Sequence, residues 1–135
     1  DDALVSERDA HLAIDGGLAD GFNLRVSKNG GLVGVLRLVK LARDAGLVVQ
    51  LGCHPGETGI LSAAGRALAC SVAGFRYLEG SYDRHLLRGN VIREDVTFGR
   101  GGVAPRLEGP GLGVTVDMEK LLELTAETLD EIGIG

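Results

Sequence analysis

Phe22-Asn23-Leu24-Arg25-Val26-Ser27-Lys28-Asn29-Gly30-Gly31, then a helical run, then Val48-Val49-Gln50-Leu51-Gly52-Cys53-His54-Pro55-Gly56-Glu57-Thr58-Gly59, is the part of the chain that decides the fold. Each stretch reads as a strand followed by a turn, with polar groups gathered just past the strand. In a barrel of parallel strands, that end is where chemistry sits.

Between the two stretches, Leu32 to Ala45 predicts a helix. Leu32, Val35, Leu36, Val39 and Ala42 form its apolar stripe, Arg37, Lys40 and Asp44 share the other face, and Gly46 stops it. Val48 to Cys53 is a mostly apolar run, as expected of a strand covered on both sides. Upstream, Ser6 is placed to cap a helix with Glu7 and Asp9 in its first turn, ended by Gly16-Gly17. Downstream, Ile60 to Ala69 reads as a small-residue helix and Phe75 to Leu78 as a further short strand. Strand starts recur about every 26 residues, at Phe22, Val48 and Phe75, which implies a parallel sheet with right-handed crossovers. After Leu78 the pattern gives way to a segment rich in Gly and Arg. It holds β-like pieces at Asn90-Val91-Ile92 and Val96-Thr97-Phe98, a turn at Gly109 to Gly113, a strand at Val114-Thr115-Val116 and a helix at Met118 to Leu124. The C-terminal Glu127 to Gly135 is expected to fray.

Composition narrows the class. Apolar residues make up 44% of the 135, enough for a core, so disorder is excluded. The 22 glycines show no collagen period and serve turns and close packing. The net charge of -5, without a basic stripe, argues against nucleic acid. No apolar run reaches membrane-spanning length. Cys53 and Cys70 form neither a metal-type pair nor a disulfide framework, which points to a reduced, cytoplasmic setting. The opening Asp1-Asp2-Ala3-Leu4 reads as the end of a strand, and a fragment or processed chain is expected.

These residues together resemble the enolase superfamily, in its mandelate racemase and muconate cycloisomerase branches. Asp1-Asp2-Ala3-Leu4 is similar to the family's Asp-Glu-Ser-Leu at the end of the fifth barrel strand. Asn23-Leu24-Arg25-Val26-Ser27-Lys28-Asn29-Gly30-Gly31 is similar to its sixth-strand Asn-Ile-Lys-x-x-Lys/Arg-x-Gly-Gly. Gly52-Cys53-His54-Pro55-Gly56-Glu57 resembles the seventh-strand Gly-Cys-Met-x-Glu, with one extra residue before the acid. Gly109-Pro110-Gly111-Leu112-Gly113 with Val116-Asp117 resembles the tail that returns toward a capping domain. The resemblance covers nearly the whole chain. It implies an α/β fold, the C-terminal half (strands 5–8) of a (β/α)8 TIM-type barrel. Residues 1–80 would form the half barrel of βα units, and 81–135 the loop-rich follow-on and C-terminal extension of the same domain.

The resemblance also implies chemistry. A divalent metal, usually magnesium (Mg2+), binds a substrate carboxylate, a base removes the adjacent α-proton, and cations stabilise the enediolate. Racemisation, epimerisation, cycloisomerisation and dehydration all share this step. Asp1 matches the third metal ligand, the other two lying upstream; otherwise it merely ends a strand or caps a helix. Arg25 stands where one branch has a catalytic lysine and the other an aspartate. Arginine stays protonated and is a poor base, yet it can bind a carboxylate or stabilise an enolate; its plainer role is a structural ion pair. Lys28 is assigned to the following turn. His54 occupies the place of the racemase branch's histidine base and can exchange protons near neutral pH, although histidines at strand ends often only bind loops. Glu57 matches the seventh-strand acid, or else serves the start of the next helix. Glu79 matches an acidic strand-end position, and Tyr82, Asp83, Arg84 and His85 follow it, as a substrate border or a solvated loop. Cys53 is read as a small buried residue and His11 as a surface one.

The expected partners are a small-molecule carboxylate substrate and either the missing N-terminal half with its capping domain or a second copy, in a homo-oligomer. Neither nucleic acid nor membrane is expected. Four parallel strands cannot close a barrel of eight, so edges and an apolar inner face would stand open, and the isolated chain is expected to be inactive. Two alternatives remain. One is a divergent, non-catalytic carboxylate-binding half barrel. The other is a different βα barrel with phosphate held at Gly30-Gly31 beside Lys28.

Overall fold

Ser6 starts the first helix through a reciprocal cap. The computed structural model describes residues 2–80 and 83–131, and in it Ser6 is extended (φ -142°) ahead of α1 (Glu7–Asp15). Asp9 N–H donates to Ser6 Oγ at 3.2 Å, while the Asp9 carboxylate accepts from Ser6 N–H at 2.9 Å and Val5 N–H at 3.2 Å. Three backbone donors that the helix itself cannot satisfy are thereby paired.

The βα alternation is present: β1 (Gly21–Arg25), α2 (Gly31–Asp44), β2 (Val48–Gly52), α3 (Gly59–Ser71) and β3 (Tyr77–Leu78). The three strands form one parallel sheet in chain order. Asn23, Gln50 and Tyr77 lie in one register row, and Arg25 pairs with Gly52 two rows on. Side chains alternate across a strand, so Phe22, Leu24, Val49 and Leu51 point to the helices. There they meet Val35, Leu38, Val39, Ala42, Ala64 and Leu68 in one apolar core. Leu24, Leu38 and Val35 are among its fully buried members, and each such side chain contributes about 1.5–3 kcal/mol by leaving water.

The face away from the helices carries Asn23, Arg25 and Gln50, with Val48 47% and Tyr77 58% exposed. β2 is thus covered on one side only in this chain, and the open inner face is more polar than expected.

Other differences have local causes. Asp2 and Ala3 form a turn where a strand end was expected, and the Leu4 carbonyl after it accepts from the Asn29 side chain at 2.8 Å. β3 is two residues long, although Arg76 N–H and Glu79 N–H extend its pairing by donating to Val49 O and Leu51 O. Val114 to Val116 is not a strand: Glu94 takes the Thr115 N–H at 2.7 Å, leaving one antiparallel bridge between Ile92 and Val116. α4 (Asp83–Leu86) and a 3-10 turn at Arg100–Gly102 interrupt the following loops. α5 (Met118–Glu131) outruns the expected helix, its Leu, Ala and Glu residues being strong helix formers. No helix among the described residues is long and apolar enough to cross a membrane.

α2 sits close to the turn that follows β1. A methyl on Gly34 would overlap the Asn29 carbonyl oxygen, so Gly34→Ala is expected to lower stability by about 1–3 kcal/mol in urea unfolding. The Ser6 and Val5 hydrogen bonds hold the Asp9 carboxyl below the ordinary range. Its contribution is therefore complete above the unfolded value and lost as pH falls through the folded one. In thermal unfolding across pH, Asp9→Asn should remove part of the destabilisation that the parent shows below about pH 4.

Candidate functional site

The site is built at the carboxyl ends of β1, β2 and β3. After β1 the backbone turns back, with Lys28 N–H and Asn29 N–H donating to Arg25 O at 3.1 and 2.9 Å. Asn29, 3% exposed, locks this turn. Its Oδ1 accepts from Arg25 N–H at 2.8 Å and its Nδ2 donates to Leu4 O at 2.8 Å. The segment before α1 is thereby fastened to the strand end. Asp2 lies over it, with Oδ1 2.9 Å from Lys28 Nζ and 3.8 Å from Arg25 Nη1. Lys28 holds the Asp2 carboxyl below its usual range, by hydrogen bond first and by charge second.

After β2, His54-Pro55-Gly56-Glu57 is a tight turn. Glu57 N–H donates to His54 O at 3.1 Å, and Gly56 has φ +85°. Proline at the second position and a positive-φ glycine at the third are what a type II turn requires. The turn absorbs the extra residue before the acid and brings Glu57 back beneath His54, whose N–H donates to Glu57 Oε1 at 2.8 Å. Ser27 Oγ–H donates to the same oxygen at 3.0 Å, so Glu57 ties the β1 and β2 turns together. It does not cap α3: Thr58 is the N-cap residue there and makes no side-chain cap bond.

Arg25 reaches across to β2. Its Nη1 is 3.4 Å from His54 Nδ1, and its side chain is only 13% exposed. Past β3, the Glu79 carboxylate accepts from Gln50 Nε2 and from Cys53 N–H. Burial pushes the Cys53 thiol up, and Glu57 and Glu79 push it further, outweighing Arg25. A thiol shifted this way is a poor nucleophile.

The structure thus brings Arg25, His54, Glu57 and Glu79 to the same end of one sheet. Asp1 and Tyr82 lie outside the described residues. Asp83 and Arg84 are engaged elsewhere, Asp83 with Asn90 and Arg84 with Asp95, and His11 is exposed on α1. Sequence reading missed Asp2, Ser27, Gln50 and Asn29 as parts of this cluster. Only Asn29 carried a usable signal, as an Asn-Gly pair at a turn. Behind the strand ends, a cavity of about 280 Å³ opens between β2 and α3, lined by Cys53, Glu57, Ser62, Arg66, Glu79 and Phe98 among others.

No three His, Cys, Asp or Glu side chains converge for a metal among the described residues. Glu57 and Glu79 are already occupied by protein donors. A divalent ion would need donors from outside the described residues.

Polar residues past parallel strands that alternate with helices match a family model, Enolase C-terminal domain-like, over residues 1–120. This chain belongs to that family, within the enolase superfamily. The family likeness makes the sheet part of a TIM-type barrel. Over 118 residues the chain is 35% identical to the L-Lys-D/L-Arg epimerase of Methylococcus capsulatus, covering 84% of this chain and 32% of that protein. Over 123 residues it is 30% identical to muconate cycloisomerase 1 of Rhodococcus opacus, covering 88% and 31%. Among solved structures, a candidate mandelate racemase/muconate lactonizing enzyme from Roseovarius nubinhibens ISM, complexed with magnesium, matches with a TM-score of 0.74 and 31% identity, over 88% of this chain and 32% of that one. The chain therefore spans about a third of the length of the relatives it matches.

Cys70 is exposed and Cys53 half-buried. Iodoacetamide at mildly alkaline pH should label Cys70 first, with Cys53 lagging, as read by peptide mass spectrometry. Equal labelling would contradict the raised Cys53 thiol.

Proposed function

We propose that this chain is the C-terminal barrel part of an isomerase that exchanges the α-proton of a carboxylate substrate through an enediolate. Epimerisation or cycloisomerisation are the reactions its relatives' names carry. The observation that supports this reading most is the convergence of Arg25, His54, Glu57 and Glu79 at the carboxyl end of one parallel sheet.

Each residue has a role its chemistry allows. Arg25 is permanently charged and largely withdrawn from solvent, so it can bind a carboxylate or stabilise negative charge that develops beside it. His54 adjoins it and presents an imidazole to the barrel mouth. Glu57 holds the β2 turn in place through Ser27 and the His54 backbone. Glu79 and Tyr82 border the substrate. Asp1 is the one ligand this chain would supply to magnesium, the others coming from upstream residues. When bound, such an ion supplies a Lewis-acidic charge for the substrate carboxylate. The upstream half of the barrel and its cap would complete the cavity.

The replacement of a family lysine by Arg25 favours one competing reading, a carboxylate-binding relative without catalysis. The complete protein carrying this chain discriminates the two in deuterated water. With magnesium present and a panel of dipeptides, N-acyl amino acids and muconolactone, at least one acid should lose its α-hydrogen signal by proton NMR, and chelation should stop the loss. Retention of every α-hydrogen would leave only the binding reading.

A further inference from the structure

We infer that Arg25 fixes the tautomer of His54, so that His54 serves as a neutral hydrogen-bond donor from Nε2 to a substrate oxygen and not as the base that removes the α-proton. The inference rests on the proposed reaction for its consequence, but its structural half stands without it.

A guanidinium has five N–H donors and no acceptor, and it does not lose its proton in proteins. Arg25 Nη1 lies 3.4 Å from His54 Nδ1. An imidazole nitrogen facing an obligate donor must present its lone pair, and a ring protonated at Nδ1 would set N–H against N–H. The proton of the neutral ring is therefore on Nε2.

The surroundings hold this arrangement. The Arg25 backbone is pinned by Asn29 at 2.8 Å, and its side chain is only 13% exposed, so the guanidinium has little room to leave. The His54 backbone is pinned by Glu57 at 2.8 Å within the Pro55-Gly56 turn. Among the described residues, the nearby carboxylates are engaged by other donors. Glu57 Oε1 receives the His54 backbone N–H and the Ser27 hydroxyl, and Asp2 receives Lys28 and Arg25. In the racemase-like pattern an aspartate at position 25 would do the reverse, accepting a hydrogen bond from Nδ1–H and leaving the Nε2 lone pair free to act as a base. Arginine at this position inverts the polarity of the pair.

The chemical consequence follows directly. With its only lone-pair nitrogen turned to Arg25, His54 has no free site to receive the substrate's α-proton. Its Nε2–H can instead bind a carboxylate or enediolate oxygen beside the Arg25 charge, a two-donor oxyanion site. The base belongs to a residue outside this chain. Arg25 then acts on the reaction partly as a positioning residue.

The experiment is nitrogen-15 NMR of histidine-labelled complete protein without substrate, with His54 assigned by loss of its signals in His54→Gln. The expected result is a pyridine-type Nδ1 and a pyrrole-type Nε2 for His54, replaced by averaged tautomers in Arg25→Met and restored in Arg25→Lys. A pyrrole-type Nδ1 in the parent, or an unchanged pattern in Arg25→Met, overturns the inference; the parent spectrum alone suffices if Arg25→Met does not fold. In turnover, His54→Gln keeps an N–H donor near Nε2 and should retain kcat/KM within about tenfold, whereas His54→Ala should lose about 100-fold. Equal loss in both variants would restore the base role. Should no acid exchange its α-hydrogen while the NMR pattern is as expected, the proposed reaction falls and the tautomer assignment remains.

Discussion

The buried amide of Asn29 is the contact on which the rest of the strand-end arrangement depends. One of its ends accepts from Arg25 N–H and the other donates to Leu4 O. It therefore joins a strand end, a turn and the segment ahead of α1 in a single side chain. A buried amide left half satisfied costs roughly 1–3 kcal/mol for each stranded backbone group, so the turn has one stable form. Gly34 lets α2 approach the Asn29 carbonyl closely enough to close that form from below. The positions of Arg25, Lys28 and Asp2 follow from it.

Electrostatics at the strand ends is organised in two tiers. Arg25 and Lys28 converge on Asp2 near the start of the chain, while Glu57 and Glu79 gather around the β2 turn and its backbone donors. His54 lies at the border, touching the first tier through Nδ1 and the second through its backbone. Such a division leaves none of these five charged side chains alone in an apolar setting. Cys53, beneath this border, is turned from a potential nucleophile into a packing residue by its burial first and by the same acids second.

Much of this was legible beforehand where local rules suffice. The Ser6 cap and the 26-residue recurrence (roughly, as βα units demand) are set by periods and capping chemistry that involve near neighbours only, whereas the α2 stripe was read in part: Val35, Val39 and Ala42 are buried, but Leu38 joins them in place of the exposed Leu32 and Leu36. The family followed from motifs in order along the chain, and it is shown by the match over residues 1–120. The errors fell where distant groups compete for backbone partners. Thr115 N–H was claimed by Glu94, so Val114 to Val116 did not become a strand. The polar character of the open sheet face was visible in Asn23 and Gln50, yet it carries meaning only once alternation and register assign them to one side.

By itself the sequence determined the βα order, the helix caps and the identity of the strand-end residues, because those depend on periodicity and on side chains a few positions apart. It also determined that position 25 carries a permanent charge. Only the tertiary structure decided that Arg25 faces His54 Nδ1, that Glu57 serves two turns at once and that Asp2 lies over Lys28. The first two contacts span 29 and 30 positions of chain and are created by parallel register, which brings successive strand ends side by side, while the third spans 26 and follows from the Asn29 amide that fastens the segment ahead of α1 to the end of β1. No local preference encodes which nitrogen of a ring meets a guanidinium; that is fixed where the two strands end together.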